Sequence, residues 1–283
     1  MPTVTISSLG NEQVKRVVKL NNRRSRKKYR QTTVEGLREI TRALENEYWP
    51  QMVFVCPELL RDETAVSLAR TLSQLKTTPP LKYYEVTTAV FQKMAYRGES
   101  GGILMVISIP EHDLADLQLG DSPFLAIIEG VEKPGNLGGI LRTADAAGVD
   151  GVIVCGAQEQ DATDLYNPNV VRASLGALFS VPVLSAENGR VHQWLTRNKI
   201  QMIATSPDAD IPYTAVDMTG PTAILMGSEA HGLSQTWLQT AHQPVTIPMF
   251  GSIDSLNLSV ATAILLYEVV RQRSTQHKPH SGR

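Results

Sequence analysis

The chain has 283 residues, with 27 Lys and Arg against 28 Asp and Glu, 42% hydrophobic and 19% charged residues, and two cysteines. That length and composition suit a soluble protein of two domains. Without a short glycine period, an uncharged apolar run of about 18 residues or a cysteine framework, collagen-like, low-complexity, membrane-spanning and disulfide-scaffold classes are excluded.

The start, MPTVTISSLGNEQ, has no basic segment followed by an apolar one, so no export is expected and a cytoplasmic location follows by default. The next stretch is strongly basic. Residues 1–30 hold nine Lys and Arg against Glu12 alone, a local charge of +8 that leaves −9 for the rest of a chain whose net charge is −1. The spacing of Val14, Val17 and Val18 predicts a short amphipathic helix, with NNRRSRKKYR continuing it or forming a basic arm. Arg23, Arg24, Arg26, Lys27, Lys28 and Arg30 are the candidates for contact with a polyanion, because each cation placed near a phosphate releases a condensed counterion. The alternative is a solvated helix face.

From residue 31 to 108 the pattern predicts a helix (VEGLREITRALENE), a strand (MVFVC), a long helix (ELLRDETAVSLARTLSQL), a strand (KYYEVT), a short helix (AVFQKMA) and a strand (GGILMVIS). Such alternation makes a small α/β domain. Residues 109–122 are acidic and lack β pattern, which predicts a linker. From 123 to 273 the runs FLAIIEG, GVIVCG, VPVLS, IQMIATS, TAILMGS and PVTIPM read as buried strands of a mostly parallel sheet with helices on both faces. NLSVATAILLYEVVRQR closes this domain as a helix, and residues 274–283 form a disordered tail. Cys56 and Cys155, each ending an apolar run, are expected to be buried thiols.

GNLGGI, after IIEGVEKP, is neither a dinucleotide-binding fingerprint nor a P-loop. The six histidines show no metal-ligand spacing and no serine sits in a nucleophile elbow, so metal and serine hydrolases drop out. Three Gly-rich polar segments, each directly after an apolar strand, remain: EGVEKPGNLGGILRTADAAGVDG, MGSEAHGLS and IPMFGSIDSLNLSVA. Ligands of open α/β sheets bind at the carboxyl ends of strands, so the three loops predict one composite site whose backbone amides and carbonyls hold the ligand.

These segments resemble, in order, motifs 1, 2 and 3 of the SpoU (TrmH-like) class of the SPOUT superfamily, RNA ribose 2′-O-methyltransferases that use S-adenosylmethionine. RKKYRQTTVEGLREITRAL resembles the family's substrate-binding domain. The resemblance implies an α/β fold with a C-terminal trefoil knot and an obligate homodimer whose active sites lie at the subunit interface. It assigns catalytic roles to Asn136, Arg142, Glu229, Ser255 and Asn257. It assigns cofactor contacts to Leu225, Met226, Gly227, Ile247, Met249, Leu256, Asn257 and Ser259, with no metal. Arg172, and with it Ser174, lies in a segment between motifs 1 and 2 that resembles a family element, which makes them RNA or site-wall residues or a structural helix entry. GVEKPGN departs from the shorter Asp-Pro lead of many members, which bears on the shape of that loop.

The implied chemistry is methyl transfer from a sulfonium to a ribose 2′-hydroxyl, a group present in RNA and absent from DNA. Arg142 would orient the hydroxyl and its phosphate, reaching the pocket of the partner subunit. A guanidinium holds its proton at neutral pH and is a poor base, so the proton acceptor stays open between a transiently neutral Arg142, a phosphate and water. Ribosomal RNA is the first choice of substrate because the two-domain arrangement resembles rRNA-modifying members, including those of the thiostrepton-resistance type. Transfer RNA is second, a non-catalytic RNA-binding protein third, and a small-molecule methyltransferase is disfavoured by the basic N-terminus.

Overall fold

A computed structural model of the chain describes residues 4–96, 100–156 and 163–276. The chain divides into two units, residues 1–111 with 166–180, and residues 112–165 with 181–283.

In the first unit the elements run β1 (Val4–Ile6), α1 (Glu12–Lys19), α2 (Arg23–Tyr29), β2 (Gln31–Glu35), α3 (Leu37–Glu45), β3 (Pro50–Val55), α4 (Glu63–Gln74), β4 (Lys82–Val86), α5 (Thr88–Met94) and β5 (Ile103–Ser108). The sheet order is β1-β4-β3-β5-β2, with β5 antiparallel to both of its neighbours. Val14, Val17 and Leu20 pack with Val90, Phe91 and Met94 of α5 over Met52, Phe54, Leu104 and Val106. Alternation along the strands sends Val53, Val55, Ile103 and Met105, also buried, to the opposite face.

The basic N-terminus is thus two helices of the first unit rather than an arm. Asn22 follows α1 and caps α2, its side-chain oxygen accepting from the Arg24 amide at 2.8 Å. Arg23, Arg24, Lys27 and Lys28 are exposed. Arg26 is not: it is 2% exposed, and its Nη1 donates to the Leu20 carbonyl at 2.5 Å, closing the end of α1. The expectation that Arg26 faces a polyanion is corrected by that burial. Arg30 is exposed and pairs with Glu111 at 2.5 Å.

Val34 and Glu35, expected to begin a helix, belong to β2 instead, and Gly36 is the N-cap of α3. QTTVE is polar, yet all five residues are buried, because residues 166–180 cover it. The second unit begins with β6 (Phe124–Glu129), α6 (Pro134–Ala147) and β7 (Gly151–Gly156), after which α7 (Pro168–Ala173) and α8 (Ala177–Ser180) fold with the first unit. There the Thr32 hydroxyl donates to the Tyr166 carbonyl at 2.7 Å, Tyr48 meets the Phe179 ring at 4.9 Å, and the Arg42 stem lies against Gly176, whose φ of +84° suits glycine. Arg172 lies 3.8 Å from the buried Glu35 carboxylate, whose other oxygen accepts from the Tyr96 amide at 2.9 Å. Ser174 is fully buried and donates to the Val171 carbonyl at 2.8 Å.

The rest of the second unit is β8 (Val183–Glu187), α9 (Asn188–Arg197), β9 (Gln201–Thr205), β10 (Thr222–Met226), α10 (Gln235–Thr240), β11 (Gln243–Val245) and α11 (Leu258–Gln276). Its sheet, β11-β9-β10-β6-β7-β8, is parallel at every pairing. Strands β6, β7 and β10 are buried throughout, as a sheet covered on both faces requires. One face packs Leu125, Ile127, Ile153 and Leu225 against Val191, Leu195 and Trp237 of α9 and α10. The other carries α6 packed on α11. Arg273 fastens α11, its guanidinium donating to the carbonyls of Ser122 at 2.9 Å and Gly220 at 2.7 Å.

Three expectations shift here. The stretch expected to be a linker is bound to this unit: Leu114 is in its core, and Arg190, 2.7 Å from Asp113, holds that carboxyl below its usual range. PVTIPM is strand only through Val245, since Ile247 to Met249 leave the sheet. The helix α11 includes residues 274–276, and the remainder of the expected tail, 277–283, lies outside the described residues. Both cysteines are free and buried, and burial pushes the Cys155 thiol well up. Among the described residues no helix is long and apolar enough to cross a membrane.

Replacing Arg26 with Ala removes a charged donor from a buried carbonyl and is expected to cost about 2 kcal/mol. Urea unfolding should show it as a lowered midpoint, while Lys27→Ala on the exposed side of α2 should change stability by less than about 0.5 kcal/mol.

Candidate active site

In the parallel sheet the carboxyl ends of β6 and β10 point the same way, so the loops after them emerge at one edge. Pro134 opens α6 at its first turn, where its missing N–H costs nothing, and Asn136 follows in that turn, 8% exposed. The Asn136 carboxamide donates through Nδ2 to Glu229 Oε1 and accepts through Oδ1 from Asn257 Nδ2 at 3.0 Å. Asn257 in turn caps α11: its Oδ1 accepts from the Ser259 amide at 3.0 Å and the Ser259 hydroxyl at 2.7 Å. One hydrogen-bonded chain, Glu229–Asn136–Asn257–Ser259, therefore joins all three sequence motifs.

Glycines let the elements approach this closely. A Cβ on Gly139 would lie 3.1 Å from the Ser259 Cβ where α6 meets α11. A Cβ on Gly227 would lie 1.9 Å from the Gly232 carbonyl carbon, so only glycine fits. The loop after Gly227 folds back on itself: Ser228 and Gly232 exchange backbone hydrogen bonds of 3.1 and 2.9 Å, and the His231 amide donates to the Ser228 hydroxyl at 3.1 Å.

Leu225 and Met226 have their side chains in the core, which leaves only backbone to a ligand. Ile247, Met249 and Leu256 are half-buried and Ser255 is exposed. From Ile247 to Leu256 no backbone–backbone hydrogen bond joins the segment to another described residue, so, Pro248 aside, its amides and its carbonyls are available to a ligand beside Asn257. Such a set suits S-adenosylmethionine, whose adenine and methionine parts offer complementary donors and acceptors. Among the described residues no cluster of His, Cys, Asp and Glu could hold a metal ion.

Four candidates stand outside the network. Ser255 forms no hydrogen bond to it. Arg142 is exposed on α6 and, six residues beyond Asn136, is displaced by about 9 Å along the helix and about 240° around it. Arg172 and Ser174 fold with the first unit, Arg172 against Glu35. Sequence reasoning passed over Glu129, the buried last residue of β6, whose carboxylate accepts from the Ser234 amide at 2.7 Å and from Asn188 Nδ2. A charged residue closing an apolar run was the signal available.

The model of the SpoU rRNA methylase family matches residues 123–267, just over half of the chain. The chain belongs to that family. The MRM3-like substrate-binding domain matches residues 11–105. Among its relatives, the 23S rRNA (uridine(2479)-2′-O)-methyltransferase of Streptomyces viridochromogenes is 32% identical over 90% of this chain and 87% of its own length. The 23S rRNA (guanosine-2′-O-)-methyltransferase RlmB of Escherichia coli K12 is 42% identical over 58% of this chain and 67% of its own. Among solved structures, the SpoU methyltransferase AviRb from Streptomyces viridochromogenes in complex with AdoMet aligns with a TM-score of 0.82 at 29% identity, covering 94% of this chain and 100% of that one. The fold is thus the SPOUT α/β architecture joined to a smaller α/β domain.

Asn136→Asp sets two carboxylates in hydrogen-bond contact, and one of them keeps its proton with a raised pKa. A carboxyl whose pKa is raised on folding loses stability as pH climbs from about 4 towards that raised value. Thermal melting of this variant should therefore fall relative to the parent as pH rises to neutrality.

Proposed function

We propose that this chain is an S-adenosylmethionine-dependent methyltransferase of ribosomal RNA, acting on a ribose 2′-hydroxyl of 23S rRNA. The observation that carries the reading is the single hydrogen-bonded chain joining Glu229, Asn136 and Asn257 beside a segment, residues 247–256, whose backbone makes no backbone hydrogen bond to the other described residues. The relatives' names supply the substrate: both act on the 23S rRNA ribose. The basic N-terminus agrees with a phosphate-bearing substrate, and the 2′-hydroxyl is what separates RNA from DNA.

When bound, the cofactor supplies an electrophilic methyl group. The protein's part is positioning, which lowers the barrier by several kcal/mol when the reacting groups are held in line. Residues 247–256 hold the cofactor through their backbone, while Asn136, Glu229 and Asn257 fix the shape of the loops around it. Arg142 orients the hydroxyl and the adjacent phosphate. Because it points away from the network of its own chain, we assign it to the pocket of a partner in a homodimer, consistent with the exposed Val260 and Tyr267 on α11. The trefoil knot of the family and a cytoplasmic location belong to the same reading. Exposed Arg23, Arg24, Lys27, Lys28 and Arg30 contact RNA phosphates, with Lys28 and Arg16 flanking the Tyr29 ring at 5.5 and 5.4 Å.

Incubation with labelled S-adenosylmethionine should place label on 23S rRNA as a ribose 2′-O-methyl group. Arg142→Ala should abolish the label while changing cofactor affinity less than about threefold, and retained turnover removes Arg142 from the mechanism. Lys27→Ala with Lys28→Ala should weaken RNA binding for any sequence and reduce the slope of log K against log salt by about 2, read from titrations at several salt concentrations.

A further inference from the structure

We propose that Glu129 is a positioning residue that fixes the loop from Gly227 to Ser234 in its cofactor-ready shape. This rests on the reading above that the loop borders the cofactor.

The Glu129 side chain lies on the α9 and α10 side of the sheet, two residues beyond Ile127 on the same face. Glu229 meets Asn136 on the side of α6 and α11. The loop thus passes over the sheet edge with one anchor on each side, Glu229 on Asn136 and the Ser234 amide on Glu129. Between them it is a closed unit, since Ser228 and Gly232 bond each other and Gly227 has no room for a Cβ. A closed loop held at two points has one orientation. With the Ser234 anchor gone, it pivots about Gly227 and carries Glu229 off Asn136.

The chemistry explains why the residue is an acid. Ser234 N–H and Asn188 Nδ2–H are both donors, one to each oxygen of the carboxylate. Glutamine has a single acceptor oxygen and would set its NH₂ against one of them. Among the described residues no Lys or Arg forms an ion pair with Glu129, and its buried carboxylate is held by these two donors.

Glu129→Gln and Asn188→Ala separate positioning from bulk stability, because Asn188 is the partner of Glu129 that lies away from the loop. Hydrogen exchange of the cofactor-free protein should show amides 228–234 of Glu129→Gln exchanging about tenfold faster than the parent. Calorimetry should show its Kd for S-adenosylmethionine raised about tenfold. Asn188→Ala should lower the melting temperature and leave both readouts within twofold. If Glu129→Gln does not fold, Glu129→Asp carries the same readouts, with a smaller rise in each expected. Exchange and Kd within twofold of the parent in the folded Glu129 variant, or equal changes in Asn188→Ala, overturn the proposal. Should the parent itself bind no S-adenosylmethionine, the cofactor reading fails, and the exchange measurement still decides the role of Glu129.

Discussion

The carboxamide of Asn136 gives a hydrogen bond to Glu229 and takes one from Asn257. A side chain of that size that both donates and accepts is a narrow choice: aspartate loses the donor, leucine loses both, and serine is too short to span the two partners. Because Glu229 belongs to the loop after β10 and Asn257 caps α11, this one amide sets the spacing of three chain segments that are 93 and 121 residues away in sequence. Its own position follows from Pro134 opening α6 directly after the buried strand β6.

The parallel sheet makes that convergence possible, and the first unit adds a separate constraint. The chain passes between the two units three times, since residues 166–180 lie between β7 and β8 in sequence but fold with the first unit. Their cover turns polar β2 into a buried strand and pairs Arg172 with Glu35. The first unit is for that reason more than its N-terminal 111 residues: without the later segment, Glu35 and Thr32 would lose partners.

How much of this was legible in the sequence follows from what buries each element. β6, β7 and β10 are apolar throughout and covered on both faces, so FLAIIE, GVIVCG and TAILM read directly as strands. QTTVE did not, because its burial comes from residues more than 130 positions later. Arg26 sits in a run of basic residues and only the fold shows that it turns inward to Leu20. The three loops of the site could be read in order from their glycines and amides, and the structure joins Asn136, Glu229, Asn257 and Ser259. Glu129 carried only the weak signal of a charge closing an apolar run, since a glutamate ending a strand ordinarily faces water. Arg142 could be placed on α6, but its direction away from Asn136 depends on helical geometry over six residues.

In the proposed cofactor site Asn136 and Asn257 act as one unit. A double-mutant cycle on S-adenosylmethionine affinity, using Asn136→Ala, Asn257→Ala and the double variant in calorimetry, tests it most directly. The double variant should lose less than the sum of the single losses, with a coupling of about 1 kcal/mol or more. Losses that simply add would mean that the two amides act independently and would contradict it.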